Sequence, residues 1–504
     1  MSLKKNIFAN YLSQIYVALI SIVILPLYLK YMGAEAYGLV GFFSMLQAWF
    51  NLLDMGLTHT MARETARFRG GATGALIYRR LVRALEGVFL VVALVGGVGM
   101  FSASDYIASD WLHARHLPIS EVQTAVQIMV AIIAMRWMSG LYRGAISGSE
   151  QLVWLGGYNA LIATIRFIGV LPVLIFIEAS PTIFFSYQVG VAILEVTGLL
   201  FYAYRLLPAV PDGERLPWSW KPLIPILKFS LTIAFTSSVW VAVTQTDKLV
   251  LSKILPLAEY GYFTLAVLVA SGVMTLSGPI SGAIIPRMVK MEAEGNHTGV
   301  ILLYRQATQL VAVISGSASV TAAFFAEPLL WAWTGDKNLA HQATPVLVLY
   351  AIGNGILAVS AFPGYLQYVK GNMTLHLIGN AVFVVFLIPS IIWATSKYGG
   401  VGAGYVWLGM NFVTFVAWLP IVHRKFEPGL NLKWYSHDVL RIFLAIAVAG
   451  YCLADFLPRS ESRWQQVVEI VISGIFTMLA GTLASSAARM RVNLWWVRYH
   501  NYGQ

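Results

Sequence analysis

Long apolar runs recur along this chain, with short polar loops between them. Each run holds about twenty or more residues, enough for a helix to cross a hydrocarbon layer of about 30 Å. No polar stretch between the runs is long enough to form a soluble domain. The pattern therefore predicts fourteen membrane-spanning helices, at 6–30, 38–62, 78–103, 121–143, 153–177, 182–205, 224–252, 260–286, 300–326, 342–364, 373–396, 402–422, 436–457 and 465–487.

The basic residues in the loops indicate how these helices are oriented. If successive loops lie on alternate sides, 23 of the 34 Lys and Arg fall on one side and 8 on the other, and the remaining three lie inside helices. Short loops rich in Lys and Arg stay in the cytoplasm. We therefore expect a multi-pass protein of the inner (plasma) membrane with both termini in the cytoplasm. This topology accounts for the net charge of +11 without a nucleic-acid partner.

Composition supports an all-α membrane protein and argues against an enzyme. Hydrophobic residues make up 58% of the chain and charged residues 11%, against about 25% charged in soluble proteins. A membrane glycosyltransferase or polymerase would need a catalytic loop or an acidic motif, but there is no Asp-x-Asp and the largest outer loop, about 104–120, is short. The sequence also lacks a nucleotide-binding P-loop. We expect a transporter without a cofactor or a metal.

The sequence also contains a weak internal repeat. Lys30 and Tyr37-Gly38 align with Lys253 and Tyr260-Gly261 at an offset of 223, Tyr78-Arg79 aligns with Tyr304-Arg305 at 226, and Asn159 aligns with Asn380 at 221. The shared order and near-constant offset predict two six-helix lobes, 1–205 and 224–423, such as occur in parallel-repeat transporters. A polar cytoplasmic linker, 206–223, joins them, and 424–504 adds two further helices and a cytoplasmic tail.

The opening of the chain carries motifs of a known family. They are Asn10-Tyr11, Pro26-Leu27-Tyr28, Met32-Gly33-Ala34-Glu35-Ala36-Tyr37-Gly38 and Leu53-Asp54-Met55-Gly56-Leu57. Together they resemble the Wzx-type polysaccharide (O-antigen) flippases of the multidrug/oligosaccharidyl-lipid/polysaccharide exporter superfamily. The resemblance implies two lobes around a central cavity, alternating access, and an undecaprenyl- or other polyprenyl-diphosphate-linked oligosaccharide moved to the outer leaflet during lipopolysaccharide synthesis. It also makes membrane lipids, a polysaccharide polymerase and chain-length proteins candidate partners.

Basic side chains inside the predicted helices are the candidates for binding an anionic substrate head, because ionisable groups there usually face an interior or a cavity. Arg166 lies near the middle of the fifth helix, and Asn159 lies seven residues earlier on the same face. Arg136 lies seven residues before Arg143, which is expected at the membrane boundary. We predict that Arg166, Arg136, Arg83 and Asn159 bind substrate, since a guanidinium can bind phosphate oxygens in pairs. The alternative is structural pairing, of Arg166 with Glu195 and of Arg83 with Glu86.

Four acidic side chains inside the predicted helices are candidates for binding a coupling ion: Asp54, Glu86, Glu195 and Asp247. Each could instead pair with a basic residue. Six deep ionisable groups lie in the first lobe and only Asp247 and Lys248 in the second, which predicts that the first lobe supplies most of the affinity for the substrate head. Asp247 and Lys248 point about 100° apart on a helix, so they are not expected to share one target face.

Two relatives in the same superfamily offer rival functions. A cation-coupled multidrug exporter would favour an apolar cavity with an acidic cation site, whereas this chain places three arginines inside its predicted helices. A lipid II flippase would share the fold and a cationic cavity, so these residues do not exclude it.

Overall fold

The computed structural model describes residues 3–54, 56–209, 219–457 and 462–486. The chain divides into two compact units, Met1–Gly261 and Tyr262–Gln504. Residues 210–218 of the predicted linker and the predicted tail beyond residue 486 lie outside the described residues. The predicted repeat lobes, 1–205 and 224–423, remain a prediction, because a division into compact units does not test which segments were duplicated.

Nine helices of unit 1 are used below, together with the start of a tenth. They are α1 (Leu3–Met32), α2 (Ala34–Phe50), α3 (Leu57–Arg69), α4 (Ala75–Ser102), α5 (Ile119–Gly148), α6 (Leu152–Phe167), α7 (Val170–Phe176), α8 (Pro181–Leu206), α9 (Ile224–Ile254) and α10 (Leu257–Ala293), which continues into unit 2. Helix α5 lies at the centre of this unit, because α3, α4 and α8 all contact it.

Eight further helices of unit 2 are used below. They are α11 (His297–Phe324), α12 (Ala326–Thr334), α13 (Lys337–Ser360), α14 (Phe362–Val369), α15 (Thr374–Val413), α16 (Leu419–Phe426), α17 (Arg441–Phe456) and α18 (Arg463–Ala484). Helix α11 contacts α13 and both C-terminal helices, α17 and α18. The two helices beyond the predicted repeat are therefore part of the packed body of unit 2.

The structure confirms the predicted all-α membrane architecture. Twelve segments of the described chain are long and apolar enough to cross a membrane. One of them, Thr374–Phe426, is interrupted at Gly399 (φ 56°, ψ −138°). Residues 394 and 402 would lie about 12 Å apart along a straight helix. In the structure a Cβ on Gly402 would lie only 2.2 Å from the carbonyl oxygen of Ala394, so the chain folds back between them. The segment is thus two helices. The 31-residue α9, which covers the predicted helix 224–252, is not among the twelve segments.

Two predicted spans, 38–62 and 153–177, are each interrupted in the structure. In the first, α2 ends at Phe50, and α3 begins only after Gly56, which has a left-handed φ of 70°. In the second, α6 ends at Phe167 and α7 restarts at Val170. Pro172 has no N–H, so it cannot continue the hydrogen-bond ladder of α6. Neither break was predicted, because the sequence remains largely apolar across both of them.

A row of glycines on α5 sets its distance from α3. Gly140, Gly144 and Gly148 recur every four residues and so lie along one face. A Cβ on Gly144 would lie 2.5 Å from the carbonyl oxygen of Thr58, and a Cβ on Gly148 would lie 2.2 Å from that of Ala62. Small residues at this spacing let two membrane helices approach closely. Because the glycine face is held against α3, neighbouring faces of α5 are directed to other helices.

The motif Met32 to Gly38 has a structural role in unit 1. The buried Glu35 carboxylate accepts hydrogen bonds from the backbone N–H groups of residues 115–117, at 2.8–3.2 Å. Gly38 lies directly against the start of α10, where a Cβ would meet the carbonyl oxygen of Leu257 at 2.2 Å. Gly261, which the repeat aligns with Gly38, would bring its own Cβ within 3.3 Å of the Gly38 Cα.

We expect Gly38→Ala to destabilise the protein, because the added methyl group meets a backbone oxygen that cannot rotate away. The cost is about 1–3 kcal/mol, as for overpacking in other cores, and it is measured as a lower thermal unfolding midpoint in detergent. Gly190→Ala is the matched control, since a Cβ there meets nothing within 4 Å. Equal midpoints for the two variants would contradict the close approach at Gly38.

Candidate functional site

Three helices of unit 1 direct polar side chains toward one another. Each contributes two such residues spaced seven apart, which places both on one helix face two turns apart. The pairs are Arg136 and Arg143 on α5, Asn159 and Arg166 on α6, and Gln188 and Glu195 on α8. We call Arg136, Arg143, Arg166 and Glu195 the arginine cluster.

Glu195 is the common partner of the three arginines. Its Oε1 lies 2.6 Å from Nη2 of Arg143, and its Oε2 lies 2.6 Å from Nη2 of Arg166. The Nε of Arg136 lies 3.8 Å from the same Oε2. Three guanidinium groups and one carboxylate leave a formal charge of +2 on the cluster. The structural pairing of Arg166 with Glu195 is therefore present, but one acid cannot neutralise three arginines.

Amide side chains help to hold the arginines in place. The side-chain oxygen of Asn159 accepts a hydrogen bond from Arg143. Gln188 accepts one from Arg136 at 3.2 Å and donates another to the backbone carbonyl of Arg166 at 3.1 Å. The sequence indicated Asn159 as a neighbour of Arg166, whereas the structure places its side chain on Arg143. Gln188 was not predicted, although its spacing from Glu195 repeats that of the other two pairs.

Two side chains of the arginine cluster are buried and the other two are partly exposed. The side chains of Glu195 and Arg136 are only 4% and 6% exposed, whereas those of Arg166 and Arg143 are 23% and 31% exposed. The Nε atoms of Arg136 and Arg166 are buried and have no hydrogen-bond partner within the described residues. A guanidinium has five N–H donors and no acceptor. The arrangement therefore offers surplus donors and surplus positive charge to an anion that approaches Arg143 and Arg166.

The remaining predicted pair on α4 does not form within the described residues. No ion pair joins Arg83 to Glu86 in that part of the chain, and Arg83 is exposed. The Glu86 carboxylate instead accepts hydrogen bonds from the hydroxyl groups of Tyr204, at 2.8 Å, and Tyr142, at 3.4 Å. A tyrosine hydroxyl satisfies a carboxylate without the cost of bringing a second charge into the membrane.

The other two acids predicted to bind a coupling ion have local partners. Asp54 accepts hydrogen bonds from the hydroxyl of Thr58, at 2.6 Å, and from its backbone N–H, and so holds the first turn of α3. Asp247 is buried, and its Oδ1 lies 3.6 Å from Nζ of Lys248. The two neighbours on α9 thus contact each other, because the Lys248 side chain is long enough to bend back along the helix.

Unit 2 contains a buried ionic network that was not predicted from the sequence. Asp438, which is fully buried, accepts two hydrogen bonds from Arg305, at 2.6 and 3.0 Å, and one from Gln309 at 2.6 Å. The Gln309 carbonyl oxygen accepts a hydrogen bond from Ser485 at 2.7 Å. The network joins α11 to the segment before α17 and to the end of α18. The Tyr304-Arg305 pair of the repeat was the available signal, but its acidic partner lies 133 residues away.

Residues 3–54, 56–209, 219–457 and 462–486 contain no group of three or more His, Cys, Asp or Glu side chains arranged to hold a metal ion. The arginine cluster of unit 1 consists of three guanidinium groups around one carboxylate. Its chemistry suits the binding of an anion.

The fold is that of multi-pass membrane transporters. The lipid II flippase MurJ, in an inward closed conformation, matches with a TM-score of 0.73 at 14% identity, over 95% of this chain and 98% of that chain. An inward-facing MATE family multidrug resistance transporter of the MOP superfamily matches with a TM-score of 0.66 at 14% identity, over 86% of this chain and 100% of that one. A MOP superfamily transporter from Pyrococcus furiosus has a TM-score of 0.52 at 14% identity, over 84% and 93%. At these identities the matches establish a shared fold.

The sequence places the chain more narrowly. The profile of the polysaccharide biosynthesis protein family matches residues 3–292, which is more than half of the chain. The chain therefore belongs to the polysaccharide biosynthesis protein family. This confirms the recognition of the flippase superfamily from the opening motifs. None of the curated proteins compared with the chain has a significantly similar sequence.

Proposed function

We propose that this protein is a flippase that moves a polyprenyl-diphosphate-linked oligosaccharide from the cytoplasmic to the outer leaflet, and that the arginine cluster holds the diphosphate. The observation that carries the proposal is the formal charge of +2 left by three arginines around Glu195. An arginine at the centre of a membrane helix costs about 2.5–3.5 kcal/mol on insertion scales, so the presence of Arg136 and Arg166 deep in their helices needs a purpose. Binding an anion inside the membrane is such a purpose.

The substrate head and its tail make different demands on the protein. Moving a diphosphate and a glycan through hydrocarbon would remove their hydration at a large cost. Arg143 and Arg166 can replace part of that hydration with charge-assisted hydrogen bonds, while the polyprenyl tail stays in lipid. Alternating access by the two predicted lobes would carry the head across. Asp54, Glu86 and Asp247 remain the candidates for a coupling ion, and we assign Glu195 to the role of counterion.

Charge and family favour this function over its rivals. A cation-coupled multidrug exporter would need a site that attracts cations, and a cluster with surplus positive charge repels them. A lipid II flippase would also carry a diphosphate, so the cluster alone does not separate the two substrates. Membership of the polysaccharide biosynthesis family favours an oligosaccharide precursor. Under this proposal the protein works in the inner membrane with cytoplasmic termini, and a polysaccharide polymerase and chain-length proteins act next.

Arg166→Ala tests the proposal. We expect surface polysaccharide export to fall at least about tenfold, since a hydrogen bond to a charged group contributes about 1.5–3 kcal/mol. Arg166→Lys keeps the charge but offers no planar fork, so it should retain part of the export. Export is measured in cells that lack the native gene and carry each variant, with protein abundance measured in parallel.

The control is Arg205→Ala, which removes an exposed arginine from α8, the helix that carries Glu195. It should export normally. If both Arg166 variants export normally at normal abundance, the cluster has no part in handling the substrate head.

A further inference from the structure

Unit 2 contains a cavity whose lining residues are distant in sequence from the arginine cluster and differ from it in chemistry. It has a volume of about 450 Å³ and lies between the end of α11, the short α12, the start of α13, the end of α17 and the start of α18. Its volume lies within the range of about 300–1,000 Å³ typical of small-molecule sites. The side chains used below are Phe324, Glu327, Trp331, Lys337, Gln466 and Glu469.

Specific contacts build this cavity. Helix α12 ends at Thr334, and the next residue, Gly335, has a φ of 77° that turns the chain. The Asp336 side chain then caps the first turn of α13. Arg463, the first residue of α18, donates two hydrogen bonds to the carbonyl oxygen of Ala332 on α12, at 2.9 and 3.1 Å. These contacts fix the wall that carries Trp331 relative to the wall that carries Glu469.

The lining combines aromatic rings with hydrogen-bonding groups. Phe324 and Trp331 present large apolar rings, and the Lys337 ammonium lies 5.1 Å from the centre of the Trp331 ring. Glu327 and Glu469 add carboxylates, and Gln466 adds an amide. With one lysine and two glutamates the lining has a formal charge of −1. This charge opposes a phosphate or diphosphate, whereas carboxylates and an amide accept hydrogen bonds from neutral hydroxyl groups.

The cavity lies at the end of α11 remote from Arg305. Nineteen residues separate Arg305 from Phe324, which corresponds to about 28 Å along a helix. The asymmetry of Lys and Arg assigns the Arg305 end to the cytoplasm. On that topology the cavity opens at the outer side of the membrane, the side on which a flippase delivers its substrate.

We propose that this cavity binds the saccharide part of a lipid-linked glycan at the outer side of the membrane. The proposal rests on the flippase function and its topology, and adds a second site with chemistry opposite to that of the first. The arginine cluster holds the anionic diphosphate, and this cavity receives uncharged sugar rings. An aromatic ring packs against the apolar face of a pyranose while Glu327 and Glu469 accept bonds from its hydroxyl groups.

Binding of free disaccharides to the full-length protein in lipid nanodiscs tests this site. The probes are maltose, cellobiose, lactose and N,N′-diacetylchitobiose, each titrated with saturation-transfer NMR. We expect at least one to bind, and Trp331→Leu to weaken that binding about threefold to tenfold, the range for loss of an aromatic contact. Trp331→Phe keeps a ring and should retain most of the affinity. Glu469→Gln, which changes little in shape, should weaken binding even if Trp331→Leu fails to fold.

Trp464→Leu is the matched control, because Trp464 lies in the first turn of α18 at the same end of unit 2 but is 80% exposed and does not line the cavity. Binding of none of the four disaccharides would overturn the proposal, as would equal losses for Trp331→Leu and Trp464→Leu. Inorganic pyrophosphate bound in a Trp331-dependent manner would also overturn it. Arg166→Ala should bind disaccharides normally. Normal export by that variant would refute the role of the arginine cluster in the proposed function and leave the disaccharide result standing.

Discussion

Glu195→Gln should destabilise unit 1 more than any other single substitution in the arginine cluster. The change removes the only carboxylate among the described residues that contacts Arg136, Arg143 and Arg166, and raises the formal charge of the cluster from +2 to +3. Removing one partner from a buried ionic group costs about 3–5 kcal/mol. We expect a lower thermal unfolding midpoint in detergent, together with faster hydrogen exchange in α5, α6 and α8.

A second substitution or an added ligand should restore part of the stability that Glu195→Gln loses. Arg166→Gln in the same chain removes one of the competing charges, so the double variant should be more stable than Glu195→Gln alone. Inorganic pyrophosphate should also raise the midpoint of Glu195→Gln, and by more than it raises that of the unmodified protein, because a ligand that binds only the folded state stabilises it. Sodium chloride at matched ionic strength separates binding from screening.

The control for this series is Glu178→Gln, which removes an exposed carboxylate that precedes α8. It should leave the midpoint unchanged. If Glu195→Gln is as stable as Glu178→Gln, the three arginines do not depend on the acid. If pyrophosphate has no more effect than chloride, the surplus charge of the cluster does not bind phosphate groups.

The architecture could be predicted from hydropathy and loop charge, but the breaks within helices could not. A run of apolar residues scores the same whether or not its backbone continues as one helix. The interruption between α6 and α7 depends on the missing N–H of Pro172, and the one before α3 on the left-handed Gly56. Both residues were visible in the sequence. Whether a given glycine or proline ends a helix or lies within it depends on how the neighbouring helices pack. That packing cannot be read from the sequence.

The site could be predicted in part. The spacing of seven residues between Arg136 and Arg143, and between Asn159 and Arg166, places each pair on one helix face, and this holds in the structure. The convergence of α5, α6 and α8 on Glu195 could not be derived from spacing, because it requires the rotation of three helices about their own axes. That rotation follows from packing, including the glycine face of α5. Packing also decides that Asn159 contacts Arg143 and that Tyr142 and Tyr204 satisfy Glu86.

Asp438→Asn should loosen the C-terminal helices from the rest of unit 2. Asp438 is fully buried and accepts hydrogen bonds from Arg305 and Gln309, and Gln309 in turn binds Ser485 at the end of α18. An amide keeps the shape but loses the charge and the paired acceptance from Arg305, at a cost of about 3 kcal/mol. Hydrogen exchange should quicken in α11, α17 and α18 and stay unchanged in α5 and α8. Asp455→Asn, at an exposed site on α17, is the matched control.

The double substitution Arg305→Met with Asp438→Leu should recover most of the lost stability, because a buried ion pair can often be replaced by apolar side chains at little cost. Uniform exchange changes across the chain, or equal stability of the two asparagine variants, would show that this network does not hold the last two helices.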